Sequence, residues 1–252
     1  MNVTDPQTTT GYSHDPVGAN TLEVIARADK FNRWMYETIR PFLKGEILEI
    51  GSGIGNISKF AIADKHNITL SDYSPEYKQT LKKNFGHLSN VRDVLSIDLQ
   101  HPDFFSVYRE LQERFDTVFL LNVIEHLQDD TAAVEYCRFL LKPGGHLIVL
   151  APAYQSLYCK FDKELGHFRR YTLKKLGQVI GSQAFELIHK QYFNTIGIFG
   201  WFIFGKIMNR KMIGSGEMSV FNSLQPVFKV VDNLTFHKAG LSAIVIGKKK
   251  AL

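Results

Sequence analysis

Residues 46–56 read EILEIGSGIGN. A short apolar run ends in Glu49 and Ile50, and glycine then falls on every second position: Gly51, Gly53 and Gly55. The apolar run has the composition of a buried strand, and NISKFAIAD (56–64) has the composition of a helix. A strand-to-helix turn rich in glycine lets the backbone approach a ligand closely and aims helix N-terminal N–H groups at negative charge. A nicotinamide-type turn, G-x-G-x-x-G, would need its third glycine at position 56, where Asn56 stands. The spacing here is Glu49-x-Gly51-x-Gly53-x-Gly55.

Outward from this turn, strands and helices alternate. Strand 68–72 and helix 75–85 follow, with Pro75 at a first-turn position. Next come a strand near 94–98, a helix from Pro102 to about Arg114, strand 115–122, helix 129–141, a turn at LKPGG (141–145) and strand 146–152. That rhythm predicts an α/β fold with a parallel sheet covered on both faces. Upstream, residues 21–40 carry apolar side chains at helical spacing, closed by Pro41. Downstream the rhythm breaks. Residues 153–171 form a long aromatic and charged connection, Thr172 looks like an N-cap, and strand 185–193 follows. An apolar excursion over 194–239, read as two helices, precedes a last strand at 240–249.

The chain of 252 residues is long enough for one domain with elaborations. Its 44% hydrophobic and 22% charged residues are ordinary for a globular protein, and a net charge of +5 suits a solvated basic face. Cys137 and Cys159 show no ligand or redox spacing, as in a reduced, cytoplasmic protein. The polar start lacks a signal pattern, and residues 1–20 are expected to be flexible. No apolar run reaches the ~18–20 residues a spanning helix needs.

The E-x-G-x-G-x-G turn resembles motif I of the class I S-adenosylmethionine-dependent methyltransferases. Asp72 after the second strand, Asp98-Leu99 after the third, and LLNVIEHL (120–127) leading to LKPGG fall where that family carries its motifs. The resemblance covers about 45–152 and implies a Rossmann-like seven-stranded sheet of order 3-2-1-4-5-7-6. An N-terminal lid helix (21–44) and a helical insertion before the last strand would complete a single domain over 21–252, with 153–171 and 194–239 on the substrate side. It implies S-adenosyl-L-methionine as cofactor. Glu49, Gly51, Ser52, Gly53 and Gly55 would hold the amino-acid end, Asp72 and Tyr73 the ribose, Asp98 and Leu99 the adenine. Asn122 and Val123 would lie near the methionine part, with Trp34 on the lid.

Methyl transfer from a sulfonium is an in-line displacement that needs alignment and exclusion of water. A hydroxyl acceptor can need a base. His126, just beyond strand four, is one candidate; the alternative is a histidine that only packs beside the cofactor. Ubiquinone-type O-methyltransferases carry E-x-x-E-H here and can hold a divalent cation. Asn122 replaces the first acid, so no metal is expected. The segment is not the N-P-P-Y of nucleobase-amine methyltransferases, which argues against nucleic acid as substrate.

LYCKFDKELGHFRRYT (157–172) resembles the L-Y-x-x-x-D-x-x-L-G-H-x-R-R-Y-[ST] stretch of a bacterial branch of these enzymes, sometimes joined to glycosyltransferases. KFNRW (30–34), QYFN (191–194) and GLSAIVIGKK (240–249) extend that resemblance, with Phe31 in place of a tyrosine. His167 can assist or replace His126. Arg169, Arg170 and Tyr171 can bind an anionic acceptor group, or the arginines can pair with Asp162 and Glu164 and hold the loop shut. Tyr154 and Tyr158 can line an acceptor pocket or anchor the loop. The greasy run 195–208 can cap that pocket, form a dimer contact in a monomer-or-homodimer protein, or touch a membrane peripherally. The reading reached is O-methylation of a small or lipid-like acceptor. A catalytically silent cofactor-binding partner or sensor is the alternative.

Overall fold

The computed structural model describes residues 16–208 and 215–250. Most of the N-terminal stretch expected to be flexible lies outside the described residues. The chain opens with helices α1 (Pro16–Ala26) and α2 (Asp29–Ile39), so the expected single lid helix is broken at Arg27–Ala28. Then come β1 (Glu46–Ile50), α3 (Ser58–Ala63), β2 (Asn67–Ser71), α4 (Pro75–Phe85), β3 (Val91–Leu95), α5 (Phe104–Val107), β4 (Phe115–Leu121), α6 (Asp130–Leu140) and β5 (Leu141–Pro152). Helices α7 (Lys160–Glu164) and α8 (Leu173–Ser182), strand β6 (Phe185–Phe193), helices α9 (Gly197–Trp201) and α10 (Ser215–Leu234), and strand β7 (Ser242–Lys249) complete it.

One seven-stranded sheet runs β3-β2-β1-β4-β5-β7-β6. The first five strands in that order pair in parallel, and β7 is antiparallel to both β5 and β6. This is the Rossmann-like methyltransferase arrangement. Central strands covered on both faces must be apolar throughout, and β1 is buried from Ile47 to Ile50. The two faces carry separate cores. One is built around Leu48, Phe104, Val118, Leu147 and Ile180, the other around Ile39, Ile47, Phe119, Ile148 and Ile246.

Two boundaries differ from the sequence expectation for local reasons. Strand β3 lies three residues earlier, because the stretch up to Asp98 is used as the connection leaving the sheet. LKPGG does not precede β5 but forms its irregular start. Leu141 pairs with Phe115 and His146 with Thr117, so the intervening residues bulge out, with Gly144 in the left-handed region at φ 75°. Cys137 and Cys159 are both free.

The excursion before β7 contains α9, continued by a π-helical turn over Phe202–Ile207, and the 20-residue α10 with Pro226 inside it. Helix α2 has no capping side chain of its own, since Ala28 precedes it. Asn222 from α10 takes that role: its Oδ1 accepts from the backbone N–H groups of Lys30 (2.9 Å) and Phe31 (3.2 Å). Asn222→Ala is therefore expected to cost about 1 kcal/mol, as loss of a conventional cap does. Urea unfolding measures it; an unchanged midpoint would show the cap to be idle.

Candidate functional site

Five strands end at one edge of the sheet, and the chemistry-bearing side chains collect there. Gly51, Gly53 and Gly55 all adopt positive φ (72°, 55° and 89°). The turn leaves no room for side chains: a Cβ on Gly51 would strike Val123 Cγ2, and one on Gly55 would strike the Phe85 ring. Gly53 is covered from above by Leu22 of α1, whose carbonyl accepts from Asn56 Nδ2 at 3.1 Å. Helix α1 thus lies across the glycine turn.

Glu49 is 4% exposed on the last turn of β1. Burial lifts its carboxyl to about 7, although hydrogen bonds from Ser58 and Ser52 oppose the rise. The Ser58 hydroxyl donates to Glu49 Oε2, and Ser52 is held to β2 through Ser71. Asp72 follows β2 and ties two turns together: Oδ2 accepts from Gly53 N and Oδ1 from Ser74 N, each at 2.9 Å. Burial raises its pKa against those two hydrogen bonds. Tyr73 beside it is half exposed. After β3, Asp98 Oδ1 accepts from Gln100 N at 2.8 Å, its own N–H donates to Tyr108 Oη, and Leu99 is buried. Asn122 leaves β4 in the left-handed region at φ 55° and hands the chain to a single 3-10 turn, Ile124–His126.

This set fits S-adenosylmethionine. A glycine turn that a Cβ would fill can face the amino-acid end, and a buried acid with a raised pKa is poised for an ammonium. Remaining lone pairs on Asp72 and Asp98 can take hydroxyl and amine hydrogens. Trp34, expected on the lid, is buried: its ring lies tilted against Phe193 with centroids 4.2 Å apart and meets Phe31 edge-on, between α2 and β6. A large aromatic on the inner face of α2 gains more from that burial than from a cofactor edge.

The connection 153–171 is folded onto the 3-10 turn rather than left loose. Ala153 bridges Tyr171 in parallel, and Phe168 N donates to Glu125 O at 2.8 Å. Asp162 on α7 is completely buried and organises the loop. It accepts from Cys159 N, from His167 Nδ1 at 2.9 Å, and from Arg170 through Nε (2.8 Å) and Nη2 (3.1 Å). Burial alone would raise its carboxyl, but His167 and Arg170 outweigh that and hold it below the usual range.

Arg170, Arg169 and Tyr171, expected to meet substrate, also have partners within the protein. Arg170 spends its third nitrogen on Ala153 O and lies 4.3 Å from the Trp201 ring centroid. Arg169 pairs with Asp130 at 2.9 Å and donates to Gln128 O. The Tyr171 hydroxyl donates to Asp130 Oδ2 at 2.8 Å. Arg170 thus meets Asp162, one of the two acids the loop-closing alternative names, and Arg169 meets Asp130. Tyr158 donates to His167 O, and Tyr154, at φ 60°, stacks on Tyr192 at 5.1 Å. Trp201 donates to Leu157 O and packs on Phe161. The greasy run therefore packs on the loop through Trp201.

What the fold brings together is Glu125, His126 and His167. The two imidazoles meet edge to face with centroids 4.6 Å apart. Glu125 is fully buried, and burial lifts its carboxyl to about 8 despite nearby Arg170. Neither of its carboxylate oxygens has a hydrogen-bond partner among the described residues. Sequence reading singled out both histidines, and left Glu125 as the second acid of the E-x-x-E-H pattern whose first acid is Asn122, with no role of its own.

Residues 48–147 match the family model described as "Methyltransferase domain". Among curated proteins, a ubiquinone biosynthesis O-methyltransferase from Xanthomonas euvesicatoria is 29% identical over 118 residues, which is 46% of this chain and 47% of that protein. A probable polyketide synthase from Dictyostelium discoideum is 26% identical over 140 residues, 48% of this chain and 6% of that protein. The chain thus spans less than half the length of these relatives. Among solved structures, the complex of the Haloferax volcanii Trm112 methyltransferase activator with a methyltransferase aligns at TM-score 0.62 and 12% identity, over 95% of this chain and all of that one. Haemonchus contortus phosphoethanolamine N-methyltransferase 2 with S-adenosyl-L-methionine aligns at TM-score 0.57 and 14% identity, over 94% of this chain and 59% of that one.

Proposed function

We propose that the protein, whose residues 48–147 match a methyltransferase-domain family model, is a class I S-adenosylmethionine-dependent enzyme that methylates a hydroxyl of a small or lipid-like acceptor. The observation that carries the reading is the Glu125–His126–His167 cluster, formed by the 3-10 turn after β4 and the 153–171 loop. Val123, two residues before Glu125, packs on Gly51 and links the cluster to the glycine turn.

The cofactor supplies an electrophilic methyl group on a sulfonium. Glu49 and the Gly51–Gly55 turn would hold its amino-acid end, Asp72 with Tyr73 its ribose, Asp98 with Leu99 its adenine. Helix α1 and the α9 segment would exclude water, so that an acceptor oxygen rather than solvent would take the methyl group. The His126–His167 cluster would receive the acceptor's hydroxyl proton as the methyl group passes from sulfur to oxygen. Asp162 orients His167 through Nδ1, as a carboxylate orients an imidazole in other proton-transfer sites. An oxygen acceptor is favoured by the paired imidazoles and by the O-methyltransferase relatives over the matched half. An apolar acceptor is favoured by the covering segment, where Phe199, Phe202, Ile203 and Ile207 are exposed. The same segment suits peripheral contact with a membrane. No helix among the described residues is long and apolar enough to cross one.

Calorimetry with S-adenosylhomocysteine tests the cofactor half. Wild-type protein is expected to bind and Asp72→Ala to bind at least about tenfold more weakly, given ~1.5–3 kcal/mol for hydrogen bonds to a charged group. Methyl transfer from labelled cofactor into cell-extracted metabolites tests the rest. Tight cofactor binding with no turnover would favour the silent partner or sensor.

A further inference from the structure

We propose that Glu125, His126 and His167 form a binding site for one divalent transition-metal ion of the zinc type. One ligand atom from each lies within 4.8 Å of the other two. Three atoms so spaced share a point within about 2.8 Å of all of them, so movements under ~1 Å give the 2.0–2.2 Å bonds of zinc to imidazole and carboxylate.

Three features of the surroundings point to an ion. Both carboxylate oxygens of Glu125 are buried and lack hydrogen-bond partners among the described residues, which is costly for a carboxylate unless something positive meets it. Arg170 does not answer for it, because its Nε and Nη2 go to Asp162 and its Nη1 to Ala153 O. His167 is held at Nδ1 by Asp162, which fixes the ring and leaves Nε2 as the ligating atom. A carboxylate behind a histidine is the usual support of a metal-bound imidazole. Finally, two nitrogens and one oxygen select zinc, cobalt, manganese or iron over magnesium or calcium, which take oxygen shells.

The expectation of no metal rested on Asn122 replacing an acid within one segment. The fold supplies the third ligand from a different segment, 41 residues after His126 in the chain. With three protein ligands the ion keeps an open position. Its role there rests on the methyl-transfer reading: with the ion bound, the acceptor hydroxyl would lose its proton to solvent before the site closes, its pKa lowered by the ion, and the imidazoles would serve as ligands; without the ion they would take that proton themselves. Its binding does not depend on that reading.

The test is a titration of chelator-treated, full-length protein with Co2+, read by visible absorption, followed by displacement with Zn2+. One equivalent per chain is expected. Glu125→Gln keeps the side chain's shape, and His167→Asn keeps a donor for Asp162 while deleting the distal nitrogen. Each is expected to weaken Co2+ binding at least about 30-fold, within the range seen for altered metal sites. Their affinity for S-adenosylhomocysteine, measured by calorimetry, is expected to stay within a factor of about 3, which also reports that they are folded. The inference is overturned if wild type shows no Co2+ absorption at millimolar ion, or if both variants bind as tightly as wild type. Cofactor binding without Co2+ binding would sink the ion and leave methyl transfer standing.

Discussion

Arg170→Met is expected to lower the unfolding free energy by about 3–5 kcal/mol, the cost of breaking a buried ion pair from one side. Arg170 is 2% exposed, and three of its contacts are charge-assisted or carbonyl hydrogen bonds. Removing it strands Asp162, which is fully buried and also holds His167 and the Cys159 amide. For a chain of this length the midpoint should fall by about 2–4 °C per kcal/mol. Differential scanning calorimetry measures it. A residue that gripped substrate would behave in the opposite way, with an unchanged midpoint and a raised KM, and that outcome would refute the loop-closing role assigned here. Loss of the midpoint should be accompanied by loss of the His167 position, since both depend on one carboxylate.

The second large effect concerns Glu49 and runs through pH. Burial raises its folded-state carboxyl to about 7, above its ordinary 4.5. An acid with a raised folded pKa favours folding while it is protonated in both states and loses that contribution as pH rises through the folded pKa. Stability of the cofactor-free protein should therefore fall between pH ~4.5 and ~7 on account of this group, by something on the order of 3 kcal/mol at 1.36 kcal/mol per unit. Glu49→Gln should flatten that slope and leave the cofactor-free protein more stable at pH 8 than wild type. The same substitution should weaken cofactor binding by about 10–100-fold, because a hydrogen bond between charges is worth ~1.5–3 kcal/mol and the ammonium loses its partner. Chemical denaturation across pH, paired with calorimetry, checks both. A variant that lost stability at pH 8 would show that Glu49 is a structural acid and not one held in reserve for a cation.

The fold was legible because its signals are local. Apolar strand cores, Pro75 and Thr172 at helix starts, and glycines that must adopt positive φ are written in short windows. The least certain boundaries, β3 and the start of β5, fell where a bulge or a strand-end connection spends residues that look like strand or turn. The cofactor turn was legible for the same reason as the fold. Glu49 at the end of β1, Gly51 just after it and Asp72 just after β2 all sit at strand ends that the pattern marks, and parallel strands place such ends side by side.

The partners of the 153–171 loop were not legible. Asp162, Asp130, His167, Arg169 and Arg170 are all visible as charged or polar letters, but sequence leaves open which meets which. That Arg170 meets Asp162 and Arg169 meets Asp130 depends on where α7 and α6 stand. That the Trp34 ring packs on Phe193 likewise depends on where α2 meets β6.

From the chain of letters alone came the layered alternation of strands and helices and the glycine bend, since backbone sterics and hydrophobic period act within a few residues; the sheet order and a cofactor for the bend came from the resemblance to class I methyltransferases that those motifs carry. Only the folded protein decided that Glu125, in the turn after β4, would meet His167 from the loop after β5, its carboxylate without a hydrogen-bond partner among the described residues. Contacts of that kind arise between segments far apart in the chain, and burial, which strips water from a carboxylate and forces it to find a cation or a proton, exists only once the segments have met.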